Sequence, residues 1–207
     1  MKGLLIKDLL NLKKNFSTVI IIIALYFLFA FKSGDPSILT GMIVLLLTMM
    51  SITSMAYDDL AKWDKFALAM PISRKKIVYS KYILSVLLSL IGVVLSISIG
   101  YVIILLKGKM SIQDFLLASY IIFGIAIIFN CIILPLVFKF GVEKSRLMMM
   151  TVFIIPVVLA YALSGIGVPM PTENQLMIIL KISPLIILMI LYISSSISYN
   201  IYRKKDL

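Results

Sequence analysis

The chain has 207 residues, 62% of them hydrophobic, and its 20 Lys and Arg against 9 Asp and Glu give a net charge of +11. Soluble domains are about 45–50% apolar, which excludes that class, and a helix crossing the ~30 Å hydrocarbon core takes about 20 residues. Six such crossings leave no stretch near the ~50 residues of a soluble catalytic domain. Histidine is absent and Cys131 is the single cysteine, inside an apolar run. That composition excludes an intrachain disulfide and disfavours zinc sites and Cys–His nucleophile pairs. The basic excess reads as membrane flanks rather than as a nucleic-acid footprint.

Taken in order, the chain opens with Met1–Asn15, where Leu5, Leu9, Leu12 and Phe16 share one helical face and Lys7, Asn11 and Lys14 lie roughly opposite. This predicts an amphipathic helix in the membrane interface. It serves either as a contact for another subunit or only as a lipid anchor. The first span is Phe16–Phe31, ended by Lys32; no small-x-small cleavage site follows, so it is read as a retained crossing and not a signal peptide. Asp35-Pro36 supplies an N-cap and a first-turn proline for Ser37–Tyr57.

The longest polar connection runs from Asp58 to Tyr79. Leu60, Trp63, Ala67 and Met70 recur at helical spacing with Phe66 beside them, and Asp58 and Lys62 form a favourable i,i+4 pair. Met70-Pro71 ends this helix. Ser73 then caps Arg74-Lys75-Lys76-Ile77, which leads into the third span, Ser80–Leu106. From pattern alone the connection is either a contact for another subunit or a solvated loop whose Arg74-Lys75-Lys76 binds anionic lipid headgroups. Ser111 and Asp114 have capping-box spacing before Phe115–Phe138. The fifth span is Leu147–Gly167, with a kink expected at Pro156. Thr172 and Gln175 offer another capping box before Leu176–Tyr199.

Orientation follows from the basic residues. Segments 2–14, 62–81, 139–146 and 203–205 carry sixteen of them on one side, against Lys32, Lys107, Lys109 and Lys181 on the other. The positive-inside rule places both termini in the cytoplasm. The expected fold is therefore all-α, a single transmembrane domain over residues 1–207 with six transmembrane helices.

No carboxylate falls in the middle of a span, and proton- or ion-coupled carriers place ionisable groups there. No G-x-x-x-x-G-K-[ST] phosphate loop is present. Work done by this protein must draw its energy from another subunit, so no catalytic role and no metal site are expected. Thr48, Ser51 and Asn130 are polar positions within spans. They either line a substrate path or hold helices together by hydrogen bonds and close packing, the second being the plainer reading.

Tyr57–Phe66, followed by Pro71, Ile72, Ser73, Arg74, Ile77, Ser80, Lys81 and Tyr82, resembles the cytoplasmic loop of bacterial ABC-2-type transporter permeases, with its "P-[IV]-S-R-x-x-[IV]-x-x-[SA]-K-Y" segment. The basic amphipathic N-terminus, the six-span layout and the Arg-Lys-Lys tail extend the resemblance along the chain. Within the family it is similar to membrane subunits of phenol-soluble modulin exporters and lantibiotic-immunity exporters. The resemblance implies a homodimer or pseudo-dimer in the bacterial plasma membrane, bound to two copies of a separate cytoplasmic ATPase that holds ATP and Mg²⁺, with no cofactor in this chain. It makes the 58–70 helix a coupling helix seated on that ATPase, contacting it through Asp58, Asp59, Leu60, Lys62, Trp63, Lys65, Phe66, Met70 and Arg74. It implies export, with amphipathic or hydrophobic peptides ahead of lipid-like drugs as substrates. The short connection between spans five and six departs from larger relatives and reduces any extracellular gate. A non-transporting scaffold or immunity protein acting by sequestration is the rival class, and co-purification with an ATPase separates the two.

Topology is testable directly. Single cysteines at Ser33, Gly108 and Asn174 should react with an impermeant thiol reagent from outside, and those at Ser73 and Ser145 only from inside. Labelling of Ser73→Cys from the outer face would overturn the orientation.

Overall fold

Where no water is available to bond backbone N–H and C=O groups, a long apolar run can satisfy them only as a helix. The computed structural model follows that rule. It describes residues 1–70, 72–108, 110–165 and 173–205, with only the backbone described for 68, 153, 155–157, 159–165 and 173–174. Among the described residues the elements are α1 (Lys2–Lys13), α2 (Phe16–Ser33), α3 (Pro36–Leu60), α4 (Trp63–Ala69), α5 (Arg74–Lys107), α6 (Ile112–Phe140), α7 (Val142–Gly165) and α8 (Glu173–Arg203). Five of them, α2, α3, α5, α6 and α8, are long and apolar enough to cross a membrane. α7 overlaps the remaining expected crossing, Leu147–Gly167, and is not among these five. The backbone of α7 continues as helix through Pro156, and the Thr172 cap lies outside the described residues.

Element ends obey local chemistry. Asp35 Oδ1 accepts from Ser37 N at 2.9 Å, with Pro36 opening α3. Ser111 Oγ accepts from Asp114 N at 3.1 Å at the start of α6. Gly34 and Gly108 close α2 and α5 in the left-handed conformation, where a Cβ would be strained. Pro135 and Pro184 stay inside α6 and α8 without ending them.

α3 is the axis of the bundle, packed along α5 and against α6, while α6 packs on α8. Lipid gives helices no hydrophobic reason to associate, so close approach by small residues counts. A Cβ on Gly92 would meet the Val44 Cα at 3.1 Å, and one on Gly100 would overlap the Phe115 ring. Leu39, Ile43, Leu47, Leu84, Leu88 and Ile103 form one core cluster, and Ile52, Ile77, Val78, Ile133, Leu134 and Tyr202 lie in a second. α2 leaves Ile20, Ile21, Leu25 and Leu28 exposed, as a lipid-facing helix does.

Two expectations need correction. The helix expected over 58–70 is split: Asp58–Leu60 are the last turn of α3, and α4 starts only at Trp63, because Lys62 takes a left-handed backbone with φ 49°. In α1 the buried residues are Leu4, Asp8 and Leu12, whereas Leu9 and Phe16 point outward. Ser145 is also buried, with its hydroxyl donating to the Gly141 carbonyl at 2.6 Å. Of the two inner labelling positions, Ser73 is the exposed one.

The α3–α5 contact makes a stability prediction. Gly92→Leu should cost about 1–3 kcal/mol by overpacking, read as a drop of several degrees in detergent melting temperature. Gly41→Ala, with nothing within 4 Å of its added Cβ, should leave the melt unchanged or raise it slightly.

Candidate functional site

At the end of the bundle where α1, α4 and the amino end of α5 meet, three charged residues occupy positions their helices would otherwise fill with apolar ones. Asp8 lies between Leu4 and Leu12 on the buried face of α1. Asp58 continues the buried stripe of Leu47, Ser51 and Met55 on α3. Lys81 shares the buried stripe of Ile77, Leu84 and Leu88 on α5. The Lys81 ammonium donates to Asp58 Oδ2 at 2.5 Å, to Asp8 Oδ1 at 2.9 Å and to Ser54 Oγ at 3.2 Å. Lys7 completes the charge balance, reaching Asp58 Oδ1 at 2.6 Å and Asp8 Oδ1 at 3.1 Å. Its ammonium also stands 4.2 Å from the centre of the Trp63 ring, a cation–π contact. Asp8 Oδ2 is buried with no hydrogen-bond partner among the described residues.

The site residues expected to face an ATPase therefore divide. Asp58 is turned inward, and the expected Asp58–Lys62 pair does not form because the carboxylate is held by Lys7 and Lys81. Asp59 Oδ2 accepts from Val142 N at 3.2 Å, placing a carboxylate at the positive end of α7. Trp63 is half-buried against the second core cluster and Ala67 is fully buried in it. Arg74 reaches the carboxyl end of α8, donating from Nη1 to the Arg203 carbonyl at 2.6 Å and to those of Tyr202 and Lys205 at 3.4 Å. Tyr202 in turn donates to Asp64 Oδ1 at 2.9 Å. What remains outward is Leu60, 80% exposed, Phe66, 61% exposed, Met70, and the exposed Lys62 and Lys65.

The P-[IV]-S-R segment is thus an internal fastener. Pro71 lies outside the described residues and Ile72 packs on the core. Ser73 precedes α5 as its N-cap residue without a side-chain bond. Arg74 holds α8, Ile77 is core, and Lys81 holds α1 and α3. Tyr82 shares hydrogen bonds with Ser194 at 2.6 Å and Ser198 at 2.8 Å on α8. Asp8 and Lys81 were absent from the expected site. Each falls on an apolar stripe, where a buried charge needs a partner, but nothing local in the sequence marks the charge as buried or names that partner.

Thr48, Ser51 and Asn130 do come together. Ser51 Oγ is 3.3 Å from Asn130 Oδ1 and 2.8 Å from the Thr48 carbonyl. All three are buried, and the Ser51–Asn130 bond crosses from α3 to α6, while Thr48 Oγ1 and Asn130 Nδ2 have no hydrogen-bond partner among the described residues.

A family model described as ABC-2 family transporter protein matches residues 3–203, nearly the whole chain including α1 and the fastener segment. The chain belongs to the ABC-2 transporter family. No curated protein matches it. ABC-2 permeases are the membrane components of transporters and are not themselves catalytic. Membership implies association with an ABC ATPase subunit, and with five apolar helices it describes a multi-pass membrane protein.

In this ABC-2 permease, Lys81→Met would leave Asp8 and Asp58 buried together with only Lys7 between them. Breaking a buried ion pair from one side costs about 3–5 kcal/mol, so yield and melting temperature should fall sharply. Adding Asp8→Asn to Lys81→Met should recover part of that loss, because Asp58 keeps Lys7. A Lys81→Met protein as stable as the parent would show that the cluster holds nothing.

Proposed function

We propose that the chain is the permease subunit of an ATP-driven exporter in a bacterial plasma membrane, crossing it six times with both termini in the cytoplasm. Two permease copies, identical or closely related, work with two copies of a separate ATPase that binds ATP and Mg²⁺. Amphipathic or hydrophobic peptides are the cargo, in keeping with the resemblance to phenol-soluble modulin and lantibiotic-immunity exporters. The sixteen-to-four division of basic residues supports the orientation.

The observation that carries the reading is the two-sided loop after α3. Its inner side is fixed to the bundle by Trp63, Ala67 and Asp64. Its outer side presents Leu60, Phe66 and Met70 among Lys62 and Lys65, an apolar patch ringed by charge at the basic end. Beside Leu60 lies a groove of about 370 Å³, bounded by Phe140, Glu143 and Arg146. A partner seated on this face touches α4 directly. α4 meets Lys7 through Trp63, and Lys7 belongs to the cluster joining α1, α3 and α5. ATP-driven movement of the partner thereby reaches the spans along a short chain of contacts. Parting of α3 and α6 would turn Thr48, Ser51 and Asn130 toward the cargo.

Docking and folding separate by residue. Phe66→Ala should weaken ATPase retention by roughly thirtyfold, the scale of a lost aromatic anchor of ~2 kcal/mol, with the permease's own melt unchanged. Trp63→Ala should instead lower that melt, by about 1–3 kcal/mol for a half-buried ring. Lys62→Ala and Lys65→Ala should each cost less than about 1 kcal/mol of docking. Co-purification with the ATPase and peptide-stimulated hydrolysis, at matched membrane abundance, measure both. Full retention and stimulation in Phe66→Ala would remove this face from the coupling path.

A further inference from the structure

α5 and α8 leave a groove of about 310 Å³ between them, open to the side of the bundle and lined by Tyr79, Ile83, Leu87, Leu191 and Tyr192 with Ser195 at its floor. Two of its hydroxyls are engaged elsewhere. Tyr82 is hydrogen-bonded to Ser194 and Ser198, and Ser195 Oγ donates to the Tyr192 carbonyl at 2.9 Å. Apart from the Tyr79 and Tyr192 hydroxyls, the walls offer carbon. Toward the basic end each wall ends in a cation on the same helical face. On α5 the stripe runs Val86, Tyr79, Lys75, with the Lys75 ammonium 5.7 Å from the Tyr79 ring centre. On α8 it runs Tyr192, Tyr199, Arg203. The two ends are adjacent, since Arg74 donates to the Arg203 carbonyl at 2.6 Å. Lys75 and Arg203 are both exposed.

We propose that this groove binds one anionic phospholipid from the leaflet on the basic side, its acyl chain along Ile83, Leu87 and Leu191 and its phosphate between Lys75 and Arg203. An acyl chain needs no hydrogen bonds, whereas a peptide backbone laid against these walls would lose its own partners. A second copy docked symmetrically here would bring two identical cationic rims together. The order cation, tyrosine, aliphatic also matches the order headgroup, interface, tail met on entering a bilayer. The inference rests on the chain spanning a membrane and is independent of what is transported.

The test is native mass spectrometry of the purified permease from neutral detergent, titrated with phosphatidylglycerol or phosphatidylcholine of the same acyl composition. One phosphatidylglycerol per chain should be retained with about tenfold preference. Lys75→Ala with Arg203→Ala should bring the two lipids to parity, and Lys32→Ala at the opposite end should not. Ile83→Trp, filling the groove, should lower phosphatidylglycerol retention with the melt unchanged. Equal retention of both lipids by the parent would overturn the proposal, as would a preference that survives both the double variant and Ile83→Trp. Efficient crosslinking of Tyr192→Cys between copies would assign the groove to a second chain, and displacement of lipid by an amphipathic peptide at equal concentration would assign it to cargo.

Discussion

Lys81 carries an ammonium into an almost fully buried site, and that burial is tolerable only while Asp8 and Asp58 stay within hydrogen-bond distance of it. Few other forces can hold α1 in place. In lipid, apolar faces have nothing to gain from meeting one another, and α1 buries only Leu4, Asp8 and Leu12. The two carboxylates and two ammonium groups therefore decide where α1, α3 and α5 meet. Through the Lys7–Trp63 contact they also decide where α4 lies. Buried ion pairs are poor sources of net stability but strong enforcers of geometry once formed, because each partner is costly to strand.

That division of labour explains the composition of the connecting segment. Residues that looked like a docking stripe serve two masters in alternation: Asp58, Trp63, Ala67 and Arg74 fasten the loop to the bundle, while Leu60, Phe66 and Met70 are left to the surface. A coupling element has to be rigid toward its own membrane domain and adhesive toward its partner. The left-handed turn at Lys62 is what permits both. It ends α3 and restarts the chain as α4, so that Trp63 folds back over Lys7 while Leu60 and Phe66 stay outside.

Much of this architecture was legible in residue order. Five of the expected crossings, α2, α3, α5, α6 and α8, follow from apolar run length, and the starts of α3 and α6 follow from Asp35-Pro36 and Ser111-Asp114, because those signals are local. The expected 58–70 helix was not legible in the same way. Its 3.6-residue period continues smoothly across Ala61 and Lys62, and only tertiary contacts reveal that Asp58 belongs to the helix before the break. Asp8 and Lys81 were hidden for a related reason. They stand 73 residues apart in sequence, and an isolated charge at a helix end looks the same whether it is solvated or paired. Knowing that each sits on an apolar stripe would have suggested burial, but not with which partner.

The serines of α5 carry a mechanical consequence. Ser85, Ser89 and Ser96 return their hydroxyls to carbonyls of their own helix at 2.9, 2.6 and 2.9 Å, a habit of buried helical serine. Among the described residues, the hydrogen bonds that join α3 to α5 are those of Lys81, near one end. The rest of the interface is smooth, with Gly92 seated on Val44 and no polar bond to break. Sliding meets only van der Waals resistance there, while displacement at the Lys81 end must separate charge. The α3–α5 pair is thus pinned by charge at one end and held along the remainder by close packing alone, so its resistance to displacement is uneven along its length.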